Sequence, residues 1–323
     1  MTDEERQLIR WHVKRAQLAD RKAMGERYRV EPQPLADVEA PDFADPGQAL
    51  QWFRDNRRNL VSLVGLAAQH GWNFEAWVLP EAMWAYFTTG GQYEDAEYCY
   101  RIATEAAAAD ERPDAQIRMN LLLAQTLTDA LRLDEAEAAL ADTRALAEEY
   151  GDLVLIGTSL EFTGRLELKR QRPETALTWF QQAHENALLQ VERGVGGPRV
   201  VGLQLWFLAQ CHQALLNMGH ATRLFEEARD ELARAKDWRT GVMVEIDAAL
   251  LSQWADVPGA AKRVEDALGL ARDLGITLPE AQGWHRFALQ SNEPERTARL
   301  EKALALYESI GDAGADETRK LLQ

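Results

Sequence analysis

A chain of 323 residues with a formal charge of −16 and a pI near 4.9 carries a negative far field, which opposes binding along a phosphate backbone by counterion release. Its two cysteines, Cys99 and Cys211, stand outside any C-x-x-C spacing, so the sequence offers no disulfide framework and no thiolate metal site, and a reducing, cytoplasmic setting is expected. No apolar run approaches the roughly 20 residues that cross a bilayer, and helix formers outweigh β-branched residues, so an all-α chain with no membrane or direct nucleic-acid partner is expected.

In chain order, the first predicted element is a helix over Asp3–Met24. Residues 1–30 form the one basic stretch, a local +3 against −19 for the remainder. Val30–Pro46 contains four prolines among acids and reads as an extended connector. A second helix follows over Pro46–His70, with Leu50, Phe53, Leu60, Leu63, Val64 and Ala67 returning at helical spacing.

Beyond residue 73 the chain repeats. A small residue, a bulky one four later and a small one three after that recur as Ala96/Tyr100/Ala103, Ala136/Leu140/Thr143, Ala176/Phe180/Ala183, Ala221/Phe225/Ala228 and Ala260/Val264/Ala267, with a degenerate Arg296/Leu300/Ala303. Positions i, i+4 and i+7 share one helical stripe, so each triplet lets a neighbouring helix approach closely around one large side chain. These mark the second helices of hairpins. The first helices fall at about 74–89, 112–131, 152–169, 199–216, 238–254 and 278–290, each followed by a turn rich in Gly, Asp or Pro. Intervals of 40, 40, 45, 39 and 36 exceed the roughly 34 residues of a plain tetratricopeptide unit, so longer helices or looser junctions are expected. The longest interval holds Arg193-Gly194-Val195-Gly196-Gly197-Pro198, where a flexible joint is expected.

The fold expected is therefore an all-α, tetratricopeptide-like right-handed superhelix of about six hairpins preceded by two N-terminal helices. The organisation reads as 1–45, helix and connector; 46–72, a capping helix; 73–192, repeats one to three; and 193–323, repeats four to six with a polar cap at Asp316–Gln323.

The stretch from Ala49-Leu50-Gln51-Trp52-Phe53 to Arg57-Arg58-Asn59-Leu60-Val61 resembles the opening segment of the tetratricopeptide sensor region at the C-terminal end of actinobacterial transcription regulators of the antibiotic-regulatory and NB-ARC ATPase type. Ala76-Trp77 through Gly90-Gly91 is similar to that region's first hairpin, and Leu8 through Asp20 to the helix before it. The resemblance implies a sensor role in transcriptional regulation. No G-x-x-x-x-G-K-[ST] loop and no basic recognition helix accompany it, so neither the ATPase module nor a DNA reader is expected.

Counting positions along the first helices places a lining on the concave side: Glu81 in repeat one; Arg118, Gln125 and Asp129 in two; Glu161 and Arg165 in three; Trp206, Gln210 and Gln213 in four; Glu245 and Ser252 in five. Of the ten tryptophans, Trp52, Trp77, Trp84 and Trp179 fall on apolar stripes and are expected in the core; Trp11, Trp72, Trp238 and Trp284 stand near helix starts; Trp206 is singled out for binding. The six histidines include no H-E-x-x-H and no i, i+4 pair, and no serine sits in a G-x-S-x-G elbow, so no catalytic residue, metal or cofactor is expected. The function expected is a non-catalytic module holding a peptide, a protein partner or a small metabolite in its groove. The alternative is an accessory protein or enzyme of a biosynthetic pathway with the groove as substrate cavity; homo-oligomerisation through a terminal helix is a further option.

Overall fold

The computed structural model describes residues 3–323, and its regular structure is entirely helical. Helix α1 (Asp3–Met24) and α2 (Pro46–Gln69) have the extents expected from their periodicity. Asp45 starts α2 by accepting the backbone N–H of Gln48 at 2.8 Å, while Pro46 occupies the first turn, where its missing N–H costs nothing.

One expected helix is broken. The span 74–89 is two elements, α3 (Asn73–Ala82) and α4 (Trp84–Gly90), separated at Met83. Pro80 lies inside α3, removes one donor from the ladder and crowds the preceding turn; three residues on, the amide of Met83 is shared between the carbonyls of Leu79 and Pro80 and the ladder restarts.

The remaining helices alternate as expected: α5 (Tyr93–Ala109), α6 (Pro113–Asp129), α7 (Leu133–Tyr150), α8 (Leu153–Lys169), α9 (Pro173–Glu192), α10 (Pro198–Ala214), α11 (Met218–Arg234), α12 (Trp238–Trp254), α13 (Ala260–Asp273), α14 (Thr277–Leu289) and α15 (Glu295–Ile310). The polar terminus supplies a short closing helix, α16 (Gly314–Leu321), whose Ala315 and Thr318 are buried against the chain before it. Every small–large–small triplet from Ala96 to Ala267 is buried throughout, and Leu300 and Ala303 of the degenerate copy are too. This is the all-α, tetratricopeptide-like hairpin architecture that the spacing implies.

The turns use a device the sequence does not announce. Glu111, Leu131, Gln171, Leu216, Lys236 and Asp256 all adopt left-handed conformations, with φ between 52° and 61°, although none is glycine. The amide of the following residue returns to a carbonyl of the helix just ended, as Arg132 N–H does to Leu127 at 2.9 Å. Those backbone bonds hold L-residues where a β-carbon is disfavoured.

The chain divides into two compact units. Unit one runs to Thr88 and from Gln92 to Gln171; unit two comprises Thr89–Gly91 and Arg172–Gln323. In unit one, α6 packs on α5, α7 and α8, so successive first helices touch one another as well as their second helices. Unit two repeats the pattern, with α10 against α12 and α12 against α14. Each unit therefore has a first-helix layer and a second-helix layer. The Gly194–Pro198 segment lies within unit two, and there the amides of Val195 and Gly196 both donate to Gln190 O, at 3.0 and 3.1 Å.

Helix α1 caps unit one through ion pairs. Glu75 of α3 is fully buried and accepts from Arg6 at 3.1 Å and Arg10 at 2.9 Å, and buried Asp20 takes both Arg27 and Arg29. The connector is not the extended segment expected: it is irregular, bends at Val30, Glu31 and Gln33, turns at Ala36–Asp37 and is pinned to α1, where Lys14 donates to Leu35 O, Arg15 to Pro41 O, and Arg10 to Asp37. Six of the eight basic side chains of this stretch thus have partners within the fold.

Candidate functional site

In unit one, Arg118, Gln125 and Asp129 return at intervals that keep them on one stripe of α6, on the side away from Asn120, which bonds Thr104 of the second helix α5. Arg165 of α8 reaches Asp129 at 3.4 Å and lies over the ring of Phe162 at 5.5 Å, with half-buried Glu161 one turn before it. The structure therefore brings these five expected residues onto one first-helix face.

Glu81 is near them but is already occupied. Its carboxylate accepts the backbone N–H groups of Val30 at 2.7 Å and Glu31 at 3.3 Å, and its own carbonyl takes Arg27 at 2.8 Å. The segment from Arg27 to Glu31 is thus held on this face as irregular backbone that bends at Val30 and Glu31. The ring of Tyr28 sits 5.7 Å from the Arg118 guanidinium, and Arg27 lies 4.9 Å over Trp84. Burial pushes the Tyr28 phenol well above its ordinary range, helped by Asp152, Glu81 and Asp114, with Arg118 opposing. Neither Tyr28 nor Asp20 was expected here; their link to Glu81 spans some fifty residues and no local pattern carries it.

In unit two, buried Asp247 of α12 is the hub. One oxygen accepts from Trp206 Nε1 at 2.7 Å and Gln210 Nε2 at 2.8 Å, both on α10; the other accepts from Arg286 of α14 at 2.6 Å. Trp206 is half-buried and stacks on Phe207, which stacks on Phe180. Three consecutive first helices are thereby tied in one register, with Gln213 half-buried farther along the Trp206 stripe. Asp247 and Arg286 were not foreseen. A lone carboxylate inside the apolar run Ile246–Leu251 is the signal that could have found Asp247, because a buried charge requires partners.

Glu245 and Ser252 stand apart from that hub. Two residues along a helix turns a side chain by about 200°, so Glu245 points away from Asp247. It meets Arg263 at 2.6 Å and Arg229 at 3.4 Å, both on second helices, and Ser252 accepts from Arg263 at 3.3 Å. Glu245 also borders an apolar groove of about 380 Å³ between α11, α12 and α13, with Trp238, Val242, Leu270 and Leu274.

The tryptophans sort by register. Trp77 and Trp284 are buried, whereas Trp52, Trp84 and Trp179 are half-buried rather than core, because each reaches the edge of its stripe; Trp238 stands out into solvent. Both cysteines are buried, and burial raises the Cys99 thiol far above its ordinary range and pushes Cys211 up to about 12. His12 lies between Leu8 O and Asn59, and His285 bonds Thr318, so each has a local structural partner.

No protein-family pattern matches the chain, and no curated protein matches it in sequence. Its fold is similar to solved structures at low identity. A Rap protein complexed with competence and sporulation factor aligns with a TM-score of 0.63 at 11% identity, over 81% of this chain and 74% of that one. The Rap conjugation gene regulator of the plasmid pLS20, in complex with the Phr* peptide, gives 0.63 at 13% identity over 95% of both chains. Aspartyl phosphate phosphatase F from Bacillus subtilis gives 0.59 at 11% identity, over 100% of this chain and 91% of that one.

Proposed function

We propose that the chain is a non-catalytic interaction module that holds a peptide, or an extended segment of a partner protein, on its first-helix faces. The observation that carries this reading is the Arg27–Glu31 segment: unit one already receives a non-helical stretch of backbone, with a buried carboxylate accepting two successive amides and an aromatic ring laid against an arginine. The Trp206–Asp247–Arg286 ladder offers a comparable surface in unit two, where an aromatic side chain and long polar side chains are fixed before any ligand arrives. Two structures of similar fold are complexes whose names include a peptide or factor, which supports the reading by analogy. A regulatory role of the sensor kind follows the resemblance carried by Ala49–Val61.

The test is affinity selection from a pool of random synthetic hexapeptides on the immobilised full chain, with Trp206→Ala and Asp247→Ala chains in parallel. Sequence-selective retention by the wild type, reduced in those variants, is expected. Retention no greater than on a blank column overturns the reading. Turnover of any pool member or metabolite during incubation would favour the alternative of a substrate cavity.

A further inference from the structure

Arg118 has an unusual position for an arginine. It is 6% exposed, its Nε is buried without a partner, and among the described residues no carboxylate lies within ion-pair distance of it. Buried charges are ordinarily paired, because leaving water without compensation is costly.

The carboxylates in its neighbourhood are all committed elsewhere. Glu81 accepts the amides of Val30 and Glu31; Asp20 takes Arg27 and Arg29; Asp114 takes Arg112 at 2.9 Å; Asp152 caps α8 by accepting Val154 and Leu155. The Tyr100 hydroxyl, which interacts electrostatically with Arg118, is likewise buried without a partner, as is Gln125 Oε1 two turns along α6. Burial, reinforced by Arg27 and opposed by Glu81, Tyr28 and Tyr100, disfavours the charged form of Arg118, while Tyr100 lies in the field of both arginines. An anion at this point would satisfy the arginine and could accept from the Tyr100 hydroxyl.

We propose that the first-helix face of unit one carries an anion subsite, built on Arg118, that takes the carboxylate of a peptide or of a small organic acid. A planar guanidinium matches a carboxylate through two parallel N–H···O bonds. A monoanion fits one unpaired positive charge; a phosphate dianion would overshoot it beside four carboxylates. The proposal rests on the reading of this face as a binding surface and adds the chemistry of one of its residues.

The experiment has two arms on the full chain, with Arg118→Gln, Arg118→Lys and Arg118→Met variants. In the first, thermal melting is followed in sodium acetate and sodium propionate against sodium chloride of equal ionic strength. A carboxylate-dependent rise of about 2 °C or more is expected in the wild type, smaller in the Lys variant and absent in Gln and Met. An equal rise in wild type and Arg118→Gln, or no rise beyond chloride, overturns the subsite. In the second arm, peptides retained from the hexapeptide pool are compared as free acids, as C-terminal amides and with acidic side chains replaced by amides. A loss of about ten-fold or more on one replacement, cancelled in Arg118→Gln, locates the source of the carboxylate. Retained peptides indifferent to both changes and to Arg118→Gln would sink the subsite while the binding reading stands. A carboxylate shift with no retained peptide would keep the subsite, assign it to small acids, and sink the peptide reading.

Discussion

Glu81 on α3 and Val30 in the connector, fifty-one positions apart, are joined by a 2.7 Å hydrogen bond from backbone amide to buried carboxylate. With the bond from Glu31 it fastens the Arg27–Glu31 segment to the first-helix face. Replacing Glu81 by Gln keeps the shape but substitutes a weaker, neutral acceptor for a charged one, a loss of about 1–3 kcal/mol. Local opening of the segment should rise correspondingly. Trypsin cleavage after Arg27 and Arg29 is expected to be about ten-fold or more faster in Glu81→Gln than in the wild type; equal rates would show that packing, not this carboxylate, retains the segment.

Arg118 supplies a prediction of opposite sign. Removing an unpaired buried charge in favour of an apolar side chain of similar length relieves its desolvation, and comparable replacements elsewhere are neutral or stabilising by about 1–4 kcal/mol. Arg118→Met should therefore unfold at equal or higher urea concentration than the wild type. A midpoint lowered by the amount typical of a broken ion pair would reveal a partner for the guanidinium.

Asp247 should behave in the ordinary direction. Asp247→Ala strips acceptors from Trp206, Gln210 and Arg286 at once, and a cost of about 2–4 kcal/mol is expected, moderated because Arg286 is half-exposed. The same change removes the acceptor of the Trp206 indole, so the loss should be accompanied by altered tryptophan emission in the folded state.

Acid should weaken unit two. His184, His212 and His285 all lie there, and each is held below its ordinary pKa, chiefly by burial; Glu185 and Glu317 oppose this at His184 and His285, while His220 adds to it at His212. A histidine whose folded pKa is depressed favours the neutral form, so the unfolded chain binds its proton first as pH falls. That stability is complete above the unfolded value of about 6.5 and declines as pH drops from there through the depressed folded values. Urea midpoints measured across that window should fall, and His184→Gln should flatten the decline. A flat profile in the wild type would contradict the assignment.

The left-handed turns are open to direct repair. Leu216 adopts φ +60° while largely exposed, so its side chain is buried against little that would be missed. Leu216→Gly should raise stability by about 1 kcal/mol, since glycine carries no penalty at that φ. Equal or lower stability would mean that the extra freedom of glycine in the unfolded chain outweighs the strain relieved.

The fold was legible because its determinants are local and periodic: Ala176, Phe180 and Ala183 declare a packing stripe without reference to any other part of the chain. Helix ends were read to within a residue or two where Asp45 or Pro113 punctuates them, and misread at Met83, where Pro80 breaks the ladder three residues late. The candidate site was harder. Counting along α6 placed Arg118, Gln125 and Asp129 on one stripe, but the same count in α12 selected Glu245 and Ser252, which face Arg263, rather than Asp247. The occupation of Glu81 by Val30 was invisible, because it depends on where a non-helical connector returns in space.

The charge that remains after the cations of the first thirty residues have found their partners has a kinetic consequence. Arg6, Arg10, Arg27 and Arg29 are paired with acids, and Lys14 and Arg15 with carbonyls, and with all of them counted the chain still carries −16. A cationic partner would be steered toward the protein from a distance, with an encounter rate that drops steeply as ionic strength rises, while an acidic partner would approach faster as salt is added. Association rates measured across a salt series would thus report the sign of a partner's charge before its identity is known.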